Sequence, residues 1–423
     1  MKKILLSSFI VVLSLTVAMS LFLAGCKTTT TETTTTAATT AAAATTVAET
    51  TAAASVATTV AQNVDPSTGI PKGDWVIAYV DGYIGNAWRA AHYKGFVDAA
   101  EDMKKRGLIK DYMAAQNADV DSEIATVNDY INQGVDALCI ENDYGNALGA
   151  SIQKALDKGI VVVTTGAAGL TVTEDGNLIL IQADNVEYMK APTEYIAWKM
   201  DYKGNLVHIY GLEDSAWVGI KIRRDAIMEV LNKFPDINII AKAPARFTNS
   251  VAYDAMTSLL NTYGDQISGK ANGVIAEDVG LGILQAYTAA GKAFPCLSGD
   301  YTFGFLREIK KNPDLVAVST CYPPGTSWTY LHAAILKLNG YKMDPAKTVV
   351  YGAPNSILCP APGVIVRDQS EVNDAWTKNL APTTKVWLLD DVLNENQSKT
   401  DNDCFDAHLD IEKLMELFYL PKS

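Results

Sequence analysis

Histidine, paired cysteine and positive charge are what this chain has least of, and each shortage removes a class of function. Of 423 residues only four are histidines, His92, His208, His332 and His408. None stands in the H-x-x-x-H spacing that places two imidazoles on one helical face for zinc. His208 falls within an apolar β-branched run and reads as a hydrogen-bonded core residue. The cysteines are Cys26, Cys139, Cys296, Cys321, Cys359 and Cys404, with no C-x-x-C and no metal-ligand spacing. Cys139 sits in Ala137-Leu138-Cys139-Ile140 and reads as a small buried hydrophobe. Beyond Cys26 the count is odd, so at least one thiol is unpaired; a Cys359–Cys404 bridge tying down the tail is the pairing left open. There is no G-x-S-x-G nucleophile elbow. Gly264 to Lys270 spells G-x-x-x-x-G-K, but Ala271 replaces the hydroxyl residue that would hold Mg²⁺, and the string follows a helix, so it reads as a turn. Glu277 and Asp278 are a carboxylate pair, yet neighbours after a strand point apart, which is poor geometry for glycosidase chemistry. No catalytic residue, metal site or cofactor is expected, and the chain is not read as an enzyme. The formal net charge of -13 excludes nucleic acid and a basic surface docked on anionic lipid.

What is present begins with an address. Lys2 and Lys3 precede an apolar run from Ile4 to Leu23, near the length that spans a bilayer. Leu23-Ala24-Gly25-Cys26 resembles the lipobox of bacterial lipoproteins, with small residues at the cleavage point. The expectation is a signal peptide over 1–25, a lipidated Cys26, and a Thr/Ala-rich flexible tether over 26–72. Residues 27–60 hold no aromatic residue and cannot bury enough surface to offset the entropy of ordering. The protein is therefore read as exported and held on the outer face of the cell membrane by its lipid.

From Gly73 onward, short β-branched runs alternate with amphipathic stretches, the pattern of a parallel sheet wound by crossover helices. The pattern runs from Trp75 to Gln182 and restarts at Asn205, so the fold class is α/β with two doubly wound units. Periodicity leaves open whether these make one large sheet, two domains or two lobes exchanging strands. In open parallel sheets ligands sit beyond the carboxyl ends of the strands. The residues there include Tyr83, Asn86, Trp88 and Arg89 after the first strand, Asp143 after the third and Gly166 after the fourth. The second unit offers Trp217, Phe247, Glu277, Asp278 and Asp300, and Tyr322 follows a later strand. Carboxylates and guanidinium groups together satisfy hydroxyls that both donate and accept, and aromatic faces cover the C–H patches of a sugar. Carboxylates also suit helix N-termini, which accounts for Asp143 and Asp278 equally well.

Ile77-Ala78-Tyr79-Val80 followed by Gly85-Asn86-Ala87-Trp88-Arg89 resembles the type I periplasmic binding proteins of sugar ABC transporters, of the ribose- and galactofuranose-binding kind. The likeness continues through Ile131-Asn132-Gln133-Gly134-Val135-Asp136-Ala137-Leu138, Lys158-Gly159-Ile160-Val161-Val162-Val163, Ala183-Asp184-Asn185, Glu277-Asp278 and Gly299-Asp300. The resemblance implies two parallel-sheet lobes joined by a three-segment hinge, crossing near Ala183-Asp184, Gly299-Asp300 and Tyr351-Gly352. The lobes would be 74–183 plus 300–350 and 184–299 plus 351–393, with a tail of 394–423. It implies that Asn86 and Trp88 hydrogen-bond and stack a sugar, with Arg89 beside them. Arg223 would be the second lobe's ligand arginine, Phe247 the facing aromatic wall, Glu277-Asp278 the second lobe's polar pair and Asp300 the hinge aspartate. Two departures stand out: Thr164-Thr165-Gly166-Ala167 replaces the family's Asp-Arg pair, and Cys321-Tyr322 replaces a glutamine near the third crossing. The implied function is capture of a sugar or polyol by a monomer that delivers it to an ABC permease. The alternative is a same-fold receptor that reports a signal molecule or nucleoside to a sensor. The tail, with Leu414, Leu417 and Phe418 on one side of a helix, reads as packing on a lobe, or else as a partner-binding element.

Overall fold

The computed structural model describes residues 63–421 apart from 166–168, 174–175, 213–217, 362 and 407. The expected signal segment, Cys26 and residues 27–62 of the tether lie outside the described residues, as do Gly166 and Trp217. Residues 63–72, expected in the flexible tether, instead pack on the fold, with Ile70 fully buried in the core and Asp65 paired with Arg106. No helix among the described residues is long and apolar enough to cross a membrane.

The chain opens with β1 (Val76–Asp81), α1 (Ala87–Arg106), β2 (Asp111–Gln116), α2 (Val120–Gln133), β3 (Ala137–Glu141), α3 (Gly149–Asp157), β4 (Val161–Thr165) and β5 (Leu178–Ala183). It continues with α4 (Asn185–Lys199), β6 (Gly204–Tyr210), α5 (Val218–Leu231), β7 (Ile237–Pro244), α6 (Asn249–Tyr263), β8 (Gly273–Ala276), α7 (Gly280–Ala289) and β9 (Cys296–Gly299). Last come α8 (Phe303–Lys311), β10 (Ala317–Cys321), α9 (Thr326–Leu338), β11 (Ser356–Cys359), β12 (Gly363–Val366), β13 (Lys385–Leu388), α10 (Leu389–Glu395) and α11 (Ile411–Phe418).

Local chemistry marks these boundaries. Asn86 caps α1 by accepting from the Arg89 N–H, and Gly107 ends the helix at φ 79°, a conformation that costs glycine least. Asp119 and Ser122 form a reciprocal capping box on α2. Strands β3, β4 and β5 are buried along their whole length, which is why they read as unbroken apolar runs.

Two sheets result, a six-stranded one in the order β11-β5-β4-β3-β1-β2 and a seven-stranded one in the order β13-β12-β10-β9-β8-β6-β7. All neighbours run parallel except β10 and β12. These are two α/β lobes of the type I periplasmic binding protein kind.

The strand partners correct the expected crossings. Ala317 pairs with Leu297 of β9 and Ser319 with Ile365 of β12, so α8 and β10 belong to the second lobe. Residues 300 to 321 were expected in the first. Conversely, Ser356 pairs with Leu180, so β11 extends the first sheet and the chain crosses between β11 and β12, and not at Tyr351-Gly352. The middle crossing likewise lies at 322–325, after β10, and not at Gly299-Asp300. A four- or five-residue β-branched run looks the same whichever sheet it joins, because its partner is chosen by tertiary contact.

The tail corrects a second expectation. It touches both lobes: Phe405 packs against the second lobe's core, while Ile411 and Leu414 of α11 enter the first lobe's. Full burial of the last two contributes roughly 1.5–3 kcal/mol each. Cys359 and Cys404 are not bridged; both are buried free thiols in different clusters.

Candidate ligand-binding site

The carboxyl ends of both parallel sheets face one cleft, which encloses a cavity of ≈ 410 Å³. The first lobe supplies Tyr83 and Asn86 from the β1–α1 turn, Trp88 and Arg89 from the first turn of α1, and Glu141, Asn142, Asp143 and Tyr144 from the end of β3 and the loop after it. The second supplies Leu212, Arg223, Arg246, Phe247 and Asp278, and Tyr322 enters from the middle crossing. The lobes meet across it: Asn86 Nδ2 donates to the Phe247 carbonyl at 3.4 Å, and a Cβ on Gly169 would stand 3.8 Å from Val218 Cγ2. This is a closed arrangement.

In the first lobe one guanidinium serves several carboxylates. Arg89 lies 3.2 Å from Asp81 and 3.4 Å from Glu141, and it pairs with Asp143. Burial outweighs the attraction of Arg89 and lifts Asp81 to about 6 and Asp143 to about 7. Glu123, fully buried behind them, is pushed up to about 9 by burial and then by the charges of Asp143 and Asp81. Neither of its carboxyl oxygens has a hydrogen-bond partner. Glu141 goes the other way. Burial raises it, but Arg89 and the hydroxyls of Tyr330 (2.5 Å) and Thr165 (2.9 Å) hold it below its ordinary value. His92, which burial takes down to about 4, brings no charge to that balance at neutral pH.

In the second lobe Arg223 is almost wholly buried. Its Nε donates to Asn185 at 2.8 Å and its Nη1 to Glu277 at 3.3 Å. Three aromatic faces surround it, Tyr188 and Tyr322 at 4.7 Å and Phe247 at 5.6 Å, which suits the weakly hydrated planar guanidinium. His208 Nε2 lies 3.3 Å from Glu277, and the Tyr188 hydroxyl donates to Asp278 at 2.7 Å. Arg246, Phe247, Asp278 and Val279 all have φ between 50° and 62°. Such left-handed backbone at non-glycine residues costs on the order of 1–3 kcal/mol each and clusters where a ligand must be met. Gly211 leaves room for one of them, since a Cβ there would stand 2.0 Å from the Phe247 ring.

Of the residues expected from the sequence, Tyr83, Asn86, Trp88, Arg89, Asp143, Arg223, Phe247, Asp278 and Tyr322 border the cavity. Glu277 does not; it lies fully buried beneath Arg223. Asp300 borders a smaller adjoining cavity of ≈ 40 Å³. Trp88 is held by the protein itself, stacked on His92 at 4.5 Å with its Nε1 donating to the Tyr322 carbonyl at 3.1 Å. Glu141 and Asn142 beside Asp143, and Arg246 beside Phe247, are also expected from the strand ends, and all three border the cavity. Tyr144 and Leu212 are not expected, and no residue type or spacing marks them out from their neighbours.

A cleft closed between two parallel-sheet lobes, walled by aromatic faces and by carboxylates and arginines in matched pairs, defines a solute-binding protein. The chain belongs to the periplasmic binding protein domain family, which its residues 77–337 match. It is 34% identical over 179 residues to the xylitol-binding protein of Mycolicibacterium smegmatis, an alignment covering 42% of this chain and 48% of that protein, about half its length. It is 24% identical over 246 residues to the ribose import binding protein RbsB of Bacillus subtilis, covering 58% and 76%. An ABC transporter solute binding protein from Thermobispora bispora superposes with a TM-score of 0.58 at 20% identity, over 79% of this chain and 99% of that one. A Mycobacterium smegmatis protein in complex with β-D-fucofuranose does so with a TM-score of 0.57 at 19% identity, over 70% and 92%. Members of this family bind solutes and are not enzymes.

Proposed function

We propose that this protein is an exported lipoprotein, anchored through Cys26, that closes on one sugar or polyol and delivers it to an ABC permease. The observation that carries the ligand class is the wall chemistry of the ≈ 410 Å³ cavity, where Tyr83, Trp88, Phe247 and Tyr322 alternate with Arg89, Asp143, Arg223 and Asp278. Asp143 Oδ2 is buried without a hydrogen-bond partner, an acceptor suited to a ligand hydroxyl. Contacts made to both lobes at once favour the closed state over the open one, and that difference is what a permease can read. The relatives that bind xylitol and ribose support a small polyhydroxylated ligand.

The unpartnered Asp143 Oδ2 would accept from an amine as readily as from a hydroxyl, which supports one second reading, a ligand that carries an amine as well as hydroxyls. Melting of the protein without residues 1–56 against xylitol, ribose, other pentoses, amino sugars and nucleosides separates the two. A ligand at a hundred times its Kd adds about 2.7 kcal/mol of stability. A rise with a neutral sugar or polyol that Trp88→Ala removes supports the first reading. A rise with amines alone supports the second, and a rise with nucleosides alone overturns both.

A further inference from the structure

The segment after β13 belongs to neither lobe alone. Its first half is fastened to the second lobe. The Phe405 ring meets Trp387 edge-on at 5.1 Å, and Phe405 N–H donates to the Tyr301 carbonyl at 3.0 Å. Phe303 N–H donates to the Asp403 carbonyl and Gly304 N–H to the Asp401 carbonyl, both at 3.0 Å, and Arg307 pairs with Asp401. Its second half is fastened to the middle crossing and then to the first lobe. The Asp406 carboxylate accepts from the N–H of Gly325 in the crossing at 2.8 Å, and the His408 ring stacks on Trp328 of α9 at 4.2 Å. Ile411 and Leu414 are fully buried in that lobe's core, and Glu412 pairs with Arg106 at 3.2 Å. Between the two halves Cys404, 6% exposed, reaches the cleft. It borders the small cavity shared with Asn86, Trp88, Phe247, Asp278 and Asp300.

We propose that residues 389–419 are a strap, a fourth connection between the lobes that forms one wall of the cleft and sets how far it opens and how long it holds its ligand. Chain reach is the argument. Three Cα steps separate the last second-lobe attachment, at Phe405, from the first attachment to a first-lobe helix, the His408 stack on Trp328, and a fully extended chain spans at most about 3.6 Å per residue. Those two anchor points therefore cannot part by more than about 11 Å without tearing a contact. The three hinge crossings leave the lobes free to rotate, and the strap limits that rotation on its own flank. Cys404 and Phe405 also pack with Trp88 and Tyr301 in one small apolar cluster, so strap tension reaches a residue of the ligand cavity.

The strap rests on the solute-binding reading only for its ligand readout; the opening it controls can be measured with no ligand at all. In the full chain, an eight-residue Gly/Ser insertion between Phe405 and Asp406 leaves both anchors intact and removes only the coupling. Its r.m.s. span is about 16 Å, enough to free the lobes. Spin labels at Lys154→Cys and Asp254→Cys, both exposed and in different lobes, report the separation. The ligand-free insertion variant is expected to show a longer and broader distance distribution than the parent, with its melting temperature kept and the dissociation of a bound sugar accelerated about fivefold. Paired Asp406→Asn and His408→Ala substitutions, which insert nothing, are expected to shift it in the same direction by less. An unchanged distribution in both variants overturns the strap. A lengthened distribution in a protein that retains no sugar leaves the strap standing and removes the sugar reading.

Discussion

Arg223 illustrates how single residues hold this site in tension. Its charge lies under three aromatic faces, with Glu277, fully buried, as its carboxylate partner at 3.3 Å. Removing the arginine leaves Glu277 without that partner in a dry interior, so Arg223→Ala is expected to lower unfolding free energy by about 3–5 kcal/mol. Arg223→Lys keeps the charge but loses the planar fork, and should fall between the two in chemical denaturation. Asp143 gives a different signature. Burial raises its folded-state value from 3.8 to about 7, so the folded protein binds this proton more tightly than the unfolded chain does. The resulting stabilisation is complete below about pH 4 and is lost as pH rises through 7. Melting temperatures measured from pH 4 to 8 should therefore fall less steeply in Asp143→Asn than in the parent. Asp81 and Asp300, both raised by burial to about 6, leave a residual slope of the same sign.

At the scale of elements, the close meeting of β12 and β13 is a weak point that one atom exposes. Gly363 pairs with Lys385 at φ 137°, and a Cβ on it would stand 1.9 Å from the Lys385 carbonyl oxygen. Gly363→Ala should split the edge of the second sheet and cost about 2–4 kcal/mol, read as a lower denaturant midpoint. The elements that were legible in the sequence are those with a period and a cap. Asn86 before α1, Gly107 after it, Gly134 after α2 and the buried runs of β3 and β4 all announce themselves. Helix α4 does not. It contains Pro192, and most of its residues are buried, Glu187 and Glu194 among them, so no polar face alternates with an apolar one. Glu187 accepts from Ala381 N–H and Thr384, and Glu194 from Lys233 and Asn379, partners far off in the chain that no local pattern can announce. Much of the site was legible because it lies between a strand end and the start of the next helix. Tyr144 and Leu212 lie in such segments too, but neither residue type nor spacing sets them apart from their neighbours.

For the whole molecule, one direct contact between the lobes is made by Asn86. Asn86 has two roles, since its Oδ1 caps α1 while its Nδ2 reaches Phe247 in the other lobe. Asn86→Asp keeps the cap and puts negative charge at a helix N-terminus, where it is tolerated, but loses the donor. Ligand-free scattering should then give a larger radius of gyration with an unchanged melting temperature, and sugar affinity should fall about tenfold, or 1.4 kcal/mol. A fall in melting temperature of the ligand-free protein would show instead that the cap, and not the inter-lobe contact, was disturbed.

Arg106 has a mechanical consequence. At the end of α1 it grips Asp65 at 2.6 Å and Glu412 at 3.2 Å, while Ser67 also reaches Glu412 at 3.2 Å. The entering chain and the last helix are thus knotted together on one side of the first lobe. A force applied along the N-terminal chain arrives there and passes by the hinge. The first lobe is the handle and the second the moving jaw, so a molecule held from that end can still bite.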